Sequence, residues 1–357
     1  MGSSSSRSQP GQVISASPPE KKPEELYNGP EAQYQFINVE VQMAAKVTIG
    51  ALNMVTSNVE AYYPLLAAQY EQGFRLLTFY HIPGQAQRTG GFFSYGVLMP
   101  FQGIFCRYPQ APSEGRFRLH IEKSTIQPQL VWTGALTNRS QTHTDISHLF
   151  QTIANCTQSG GRLICLELTG QEEVHYSFSM PARMPVMGVD LFFEMPLDGP
   201  QETYMYNIVS VPINVTITAG FRPTPKVQCD WAGVMSQNLG MGFRLVEIFM
   251  DGTQSTQSSG FTGYVQSNSQ WFFEKPASRA NDSTPIYQGK VVEHFIKIST
   301  SGFSGMKTTT NWEPVIQENG KAGWELACIL ETPEQVVKGL ATIYMKVILF
   351  FQRKILL

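Results

Sequence analysis

Apolar side chains recur in one register at four places along this chain. The residues 11, 8 and 7 positions before Gly73, Gly160, Gly242 and Gly323 are Tyr62, Leu65 and Leu66, then Leu149, Thr152 and Ile153, then Trp231, Val234 and Met235, and last Trp312, Val315 and Ile316. Offsets of three and four put each set on one stripe of a helix, and only Thr152 breaks the apolar pattern. Asn58, Asp145, Asp230 and Asn311 stand where an N-cap is needed, and Pro64 and Pro314 suit a first helical turn. Each stripe ends at a glycine, which takes positive φ at no steric cost just past a helix end.

The segments after these glycines read as strands. Gly73-Phe74-Arg75-Leu76 leads to Ile104-Phe105-Cys106-Arg107-Tyr108-Pro109, and Gly160-Gly161-Arg162-Leu163 leads to Leu191-Phe192-Phe193-Glu194-Met195-Pro196. Gly242-Phe243-Arg244-Leu245 leads to Trp271-Phe272-Phe273-Glu274-Lys275-Pro276, and Gly323-Trp324-Glu325-Leu326 leads to Val347-Ile348-Leu349-Phe350-Phe351. Their β-branched and aromatic content and terminal prolines fit strands. Another apolar run precedes each helix, at 34–41, 117–126, 204–217 and 291–298. The pattern predicts an α+β fold of four tandem β-α-β-β units, each a three-stranded, mostly antiparallel sheet with one helix. The units are set at 31–111, 112–200, 201–279 and 280–357. One helix covers one sheet face, so the units are expected to pack in pairs. The stretches 85–100, with Gly90 and Gly91, and 252–263, rich in Ser, Thr, Gln and Gly, are expected to be flexible loops.

Length and composition narrow the class. At 357 residues the chain can bury large cores, and 42% hydrophobic with 15% charged residues is ordinary for a folded protein. A net charge of −2 supplies no overall pull toward nucleic acid, and no nucleic-acid partner is expected. Cys106, Cys156, Cys165, Cys229 and Cys328 are widely spaced and read as small buried hydrophobes in a reducing compartment. Cys165 and Cys328 share a register, which favours packing over redox chemistry. Glycosylation sequons begin at Asn138, Asn155, Asn214 and Asn281, and are read as unused because no signal peptide precedes them.

Few residues invite a chemical reading. His143, Asp145 and His148 superficially resemble a metal-ligand cluster, but Asp145 is better explained as a helix cap. Glu172, Glu173 and His175 read as solvated loop charge. Arg75, Arg162 and Arg244 share one position after their glycines, with Glu325 in the fourth copy. They could line an anionic pocket, but read better as strand residues whose heads reach water. No nucleophile, base and orienter stand at recognisable spacing, and no phosphate loop or zinc motif is found, so no catalytic residue, cofactor or metal is assigned.

Residues 1–30 are rich in Ser, Pro, Gln and Glu and read as a disordered tail. Its start, Met1-Gly2-Ser3-Ser4-Ser5-Ser6, fits N-myristoylation at Gly2, and equally a plain polar start or an expression leader. A single acyl chain binds membranes reversibly.

The segment Tyr70-Glu71-Gln72-Gly73-Phe74-Arg75-Leu76 and the stretches 322–333 and 347–354 resemble the raftlin family of lipid-anchored, raft-associated proteins. The single unit is also similar to a small bacterial domain of unknown function with a glycine-tryptophan-glutamate-leucine strand. The raftlin resemblance implies a non-catalytic scaffold on the cytoplasmic face of the plasma membrane, exchanging with the cytosol and supporting receptor signalling or uptake. Its implied partners are membrane lipid through an acyl group on Gly2 and other proteins. The chain departs from raftlins in carrying Ser3 where they place a cysteine, and in lacking a long acidic insert. The alternative is a soluble small-ligand binding protein or enzyme with a pocket between paired units. The sequence sets no oligomeric state.

Overall fold

The computed structural model describes residues 27–48, 51–84, 87–90, 94–110, 116–132, 139–171, 186–198, 202–218, 224–259, 262–300, 306–338 and 342–356. It is mostly β, and it overturns the expected α+β set of four three-stranded β-α-β-β units packed in pairs. Each helix is preceded by a hairpin, not by one strand, and the sheets contain five, eight and four strands.

The first hairpin is β1 (Gln33–Thr48) and β2 (Ala51–Ser57), followed by α1 (Tyr63–Glu71), β3 (Arg75–His81), a short β4 (Gln87–Gly90) and β5 (Ser94–Arg107). The second repeat has β6 (Phe117–Trp132), β7 (Arg139–Asp145), α2 (Ser147–Gln158), β8 (Arg162–Gln171) and β9 (Met187–Pro196). The third has β10 (Tyr204–Thr218), β11 (Thr224–Gln228), α3 (Trp231–Leu239), β12 (Arg244–Ser259) and β13 (Thr262–Pro276). The fourth has β14 (Tyr287–Thr300), β15 (Met306–Thr309), α4 (Trp312–Lys321), β16 (Glu325–Lys338) and β17 (Thr342–Lys354). The strands run in the order β2-β1-β5-β3, with β4 also on β5, and β15-β14-β17-β16. The middle two repeats are fused into one sheet, because β7 pairs with β12 from Gln254↔Thr142 to Gln257↔Arg139.

The four glycines sit at φ 76, 88, 80 and 73°. At all four ends the following N–H reaches back to the last helical turn: Phe74 N donates to Gln69 O, Gly161 N to Cys156 O, Phe243 N to Asn238 O and Trp324 N to Asn319 O, a Schellman ending. Just beyond, every strand carries a bulge at the same offset, at Leu76/Thr78, Leu163/Cys165, Leu245/Glu247 and Leu326/Cys328. The expected capping bonds to first-turn N–H groups form at Asp230, whose Oδ1 accepts from Gly233 N, and at Asp145, whose Oδ1 accepts from Ser147 N, each at 2.9 Å. Asn58 instead accepts from Gln42 N on β1, and Asn311 adopts φ 50° without capping. The expected loops at 85–100 and 252–263 are largely strand: β4 and β5 occupy the first, β12 and β13 the second.

Each of four hydrophobic cores is shared by two consecutive repeats. Phe79 and Phe101 meet Ile164 and Phe192; Leu149 and Phe193 meet Phe249 and Phe272; Trp271 and Phe273 meet Cys328 and Phe350; and Trp312 and Phe351 meet Leu77 and Ile104. The fourth core returns to the first repeat, so the arrangement is a closed ring. Consecutive strand residues face opposite ways, so the pairs Phe192-Phe193, Phe272-Phe273 and Phe350-Phe351 bury both faces of their sheets. Burial of each such ring stabilises by about 1.5–3 kcal/mol. The ring closes where Ala32 N donates to Gly320 O of α4 at 2.9 Å.

Candidate functional site

The Gly+2 positions build the seams between repeats. Arg75 Nε donates to Glu194 Oε1 on β9 at 2.8 Å, and Arg162 Nε donates to Glu274 Oε1 on β13 at 2.9 Å. Arg244 Nε lies 2.9 Å from the same Glu274 oxygen, and its Nη1 donates to Glu325 Oε1 at 3.2 Å. Glu325 Oε2 then accepts from Tyr108 OH on the first repeat at 3.0 Å. The acid moves to Glu325 in the last repeat because Gln352 occupies the site of Glu194 and Glu274, and there it pairs with the Leu245 backbone. Arg162 is 8% and Glu274 1% exposed, which corrects the expectation that these heads reach water. Burial works to raise the Glu274 carboxyl, but Arg162 and Arg244 outweigh it and hold it below the usual range.

A second tier uses the bulges. Phe79 N donates to Cys165 Sγ and Leu166 N donates to Glu247 Oε2, each at 3.4 Å, while Ile248, in one core with Cys328, donates its N–H to Glu247 Oε1 at 2.8 Å. Burial pushes both thiols up, away from the nucleophilic thiolate. The same logic holds for Cys156, pushed up to about 11.

Where the four post-helix strands meet, each repeat contributes a polar residue: Tyr80, Glu167, Glu247 and Glu331. Tyr80 OH donates to Glu331 Oε1 at 3.2 Å, and His81 N donates to Glu167 Oε2 at 3.4 Å. Burial raises Glu247 to about 8, and burial together with Glu247 and Glu331 raises Glu167 well above the carboxylate range. In this cluster burial thus favours the protonated carboxyl. Beside it, Asp190 is raised to about 7 and His81 lowered to about 4, both by burial, and Asp190 Oδ2 and His81 Nε2 have no hydrogen-bond partner.

The open clefts among the described residues include the following. One of about 340 Å³ lies beside α2 and is lined by His120, Glu122, Lys123 and Cys156. The other, about 550 Å³, lies on the fused sheet. Its floor is two cross-strand rows on one face: Gln228, Asn214, Gln266, Ser255 and Gln141, then Thr216, Tyr264, Gln257 and Arg139. Five strands thus present amides and hydroxyls around one exposed tyrosine, a surface that can hydrogen-bond a polar ligand but holds no nucleophile with an adjacent base. Sequence reading missed it because Ser255 and Gln257 fall in the stretch taken as a loop, and the pairing of β7 with β12 that completes the face joins two repeats.

Gly2 lies outside the described residues. The end of the expected tail does not: the Arg353 guanidinium lies 4.7 Å from the ring centre of Tyr27. His148 Nδ1 is 2.9 Å from Ser124 Oγ and Asp145 is engaged by Ser147, so the His143, Asp145 and His148 group is not drawn to one point. No helix among the described residues is long and apolar enough to cross a membrane.

The chain was compared with known proteins. Mouse raftlin is 26% identical over 175 residues, 49% of this chain and 29% of raftlin. Chicken raftlin is 25% identical over 155 residues, and human raftlin 24% over 154, each 43% of this chain and 24% and 25% of those proteins. The chain is raftlin-like. The matched stretch spans between a quarter and a third of these curated relatives. No protein-family model matches the chain. No solved structure matches it either.

Proposed function

We propose that this protein is a non-catalytic, raft-associated scaffold or adaptor, tethered to the cytoplasmic face of the plasma membrane through an acyl group on Gly2 and serving receptor signalling or uptake. The similarity to raftlins over nearly half the chain carries this reading. The disposition of polar groups supports it: the arginines and acids that stand out in sequence are engaged between repeats, and the thiols are held protonated. Mass spectrometry of the N-terminus from native cells is expected to find myristoyl-Gly2. A Gly2→Ala variant is expected to be released from the membrane fraction by raised salt where the parent protein stays bound, and equal retention of the two would remove the tether.

The amide-lined cleft favours a second reading, a protein that binds a small polar ligand. Gln257→Ala with Gln266→Ala would then lower the affinity for any ligand found by a thermal-shift screen of sugars and lipid head groups. A ligand bound equally by the double variant would place binding elsewhere.

A further inference from the structure

Among the described residues, the eight antiparallel strand pairs that follow one another in sequence all have their connected ends at one end of the ring. Within repeats, Lys46 sits opposite Ser94, Thr218 opposite Thr262 and Ser299 opposite Thr342, so both turns of a repeat lie together. Between repeats, Gln257 near the end of β12 pairs with Arg139 at the start of β7, and the bonds from Phe79 to Cys165 and from His81 to Glu167 run β3 parallel to β8. Thr308 Oγ1 near the start of β15 donates to Pro83 O just past β3, which places the fourth repeat's turns beside those of the first.

Six large side chains are exposed at this end among Ser, Thr and Gln. Leu130, Val131, Tyr264, Met306, Val336 and Val337 all lie within three positions of a turn and are 37 to 49% exposed. Leu130-Val131 and Val336-Val337 are neighbours in sequence, so their strands are bare on both faces. The same positions hold the exposed cations Arg139, Lys226, Lys307 and Lys338. Among the described residues, no Asp or Glu lies within three positions of a hairpin turn. Exposed apolar side chains beside exposed cations on the described strand ends, with Tyr264 among them, suit the head-group region of an anionic bilayer, while Glu172 and Glu173 lie outside the described residues.

We propose that the hairpin end docks directly on anionic lipid, inserting these side chains at the head-group level while the cations contact lipid phosphates and carboxylates. This deepens the membrane reading above and rests on it, but it is independent of acylation. The test uses the full chain produced without an acyl group and vesicles of phosphatidylcholine with or without 30% phosphatidylserine. Expected are sedimentation with the anionic vesicles only, release by raised salt, and at least a tenfold loss of partition in Val336→Asp with Val337→Asp. Lys307→Glu with Lys338→Glu is expected to lose a similar factor, at roughly fivefold per cation removed. Leu197→Asp, at the opposite end of the ring, is expected to bind as the parent does. Far-ultraviolet circular dichroism and melting establish that each variant is folded. No sedimentation of the parent protein at low salt, or equal partition of parent and folded hairpin variants, would overturn the proposal, and the latter would assign this end to a protein partner. Because the chain carries no acyl group, neither result bears on Gly2.

Discussion

Arg162 of β8 and Glu274 of β13 stand 112 positions apart and meet as a buried ion pair between the second and third repeats, Nε to Oε1 at 2.9 Å. Glu274 also faces Arg244, so one carboxylate serves two guanidinium groups from different strands. Glu274→Gln leaves Arg162 buried without a charged partner and Arg244 with Glu325 alone, and is expected to cost about 3–5 kcal/mol. Glu194→Gln faces only the more open Arg75 and should cost less, about 1–3 kcal/mol. Urea unfolding midpoints test the order. Equal losses would show that the shared carboxylate has no special place.

Ring closure depends on Gly320 for a steric reason. A Cβ there would sit 2.5 Å from Ala32 O and 2.7 Å from the Tyr34 ring. Alanine in a helix interior normally gains about 1 kcal/mol over glycine. Here the clash is expected to win, and Gly320→Ala should lose about 1–3 kcal/mol. A gain in melting temperature would mean that β1 does not press on α4. Gly73→Ala meets no atom within 4 Å and should cost only the positive-φ penalty, about 1–2 kcal/mol.

Stability should fall as pH rises above 5. In the folded state Glu247 holds its proton to about pH 8 and Asp190 to about 7, whereas unfolded carboxyls release theirs near their ordinary values of 4.5 and 3.8. A raised folded value gives stability that is complete below the unfolded value and is lost up to the folded one. His81, lowered to about 4, has the opposite sign and costs stability as pH falls below 6.5. Two carboxyls outweigh one imidazole. Glu247→Gln should flatten the decline between pH 5 and 8 by about 1.4 kcal/mol per pH unit, read from chemical denaturation. An unchanged slope would sink the assignment.

Phe350 and Phe351 belong to different cores although adjacent in sequence. Each alanine variant is expected to cost about 3–5 kcal/mol, as a fully buried phenylalanine does. Their effects should be close to additive, since the two rings point to opposite sides of β17. Strong coupling in the double variant would argue against two separate cores.

The glycines and the helical stripes were legible because both signals are local. Leu66, Ile153, Met235 and Ile316, each seven places before a glycine, are all buried. The second strand of the hairpin before each helix was not legible. β7 reads RSQTHTD, β11 TPKVQ and β15 MKTT, too polar or too short for a period of two to emerge. The hairpin of β12 and β13 failed for a related reason: past Gly252 its strands leave the core, and Ser, Thr and Gln replace apolar residues. The role of the Gly+2 arginines was hidden because their partners Glu194, Glu274 and Glu325 are set by how repeats meet, which no single repeat encodes. The paired phenylalanines did carry a trace of that meeting, since a strand with one wet face does not place two large aromatics side by side.

Because every core here is half one repeat and half the next, a lone quarter of this chain has no interior of its own. A primitive protein of one such quarter could bury its surfaces only as a homotetramer, and the present sequence is what fusion of four such subunits would yield, each joint then free to diverge. The same fact bears on dissection: severed between its second and third quarters, the polypeptide should give halves that are insoluble apart and soluble when expressed together.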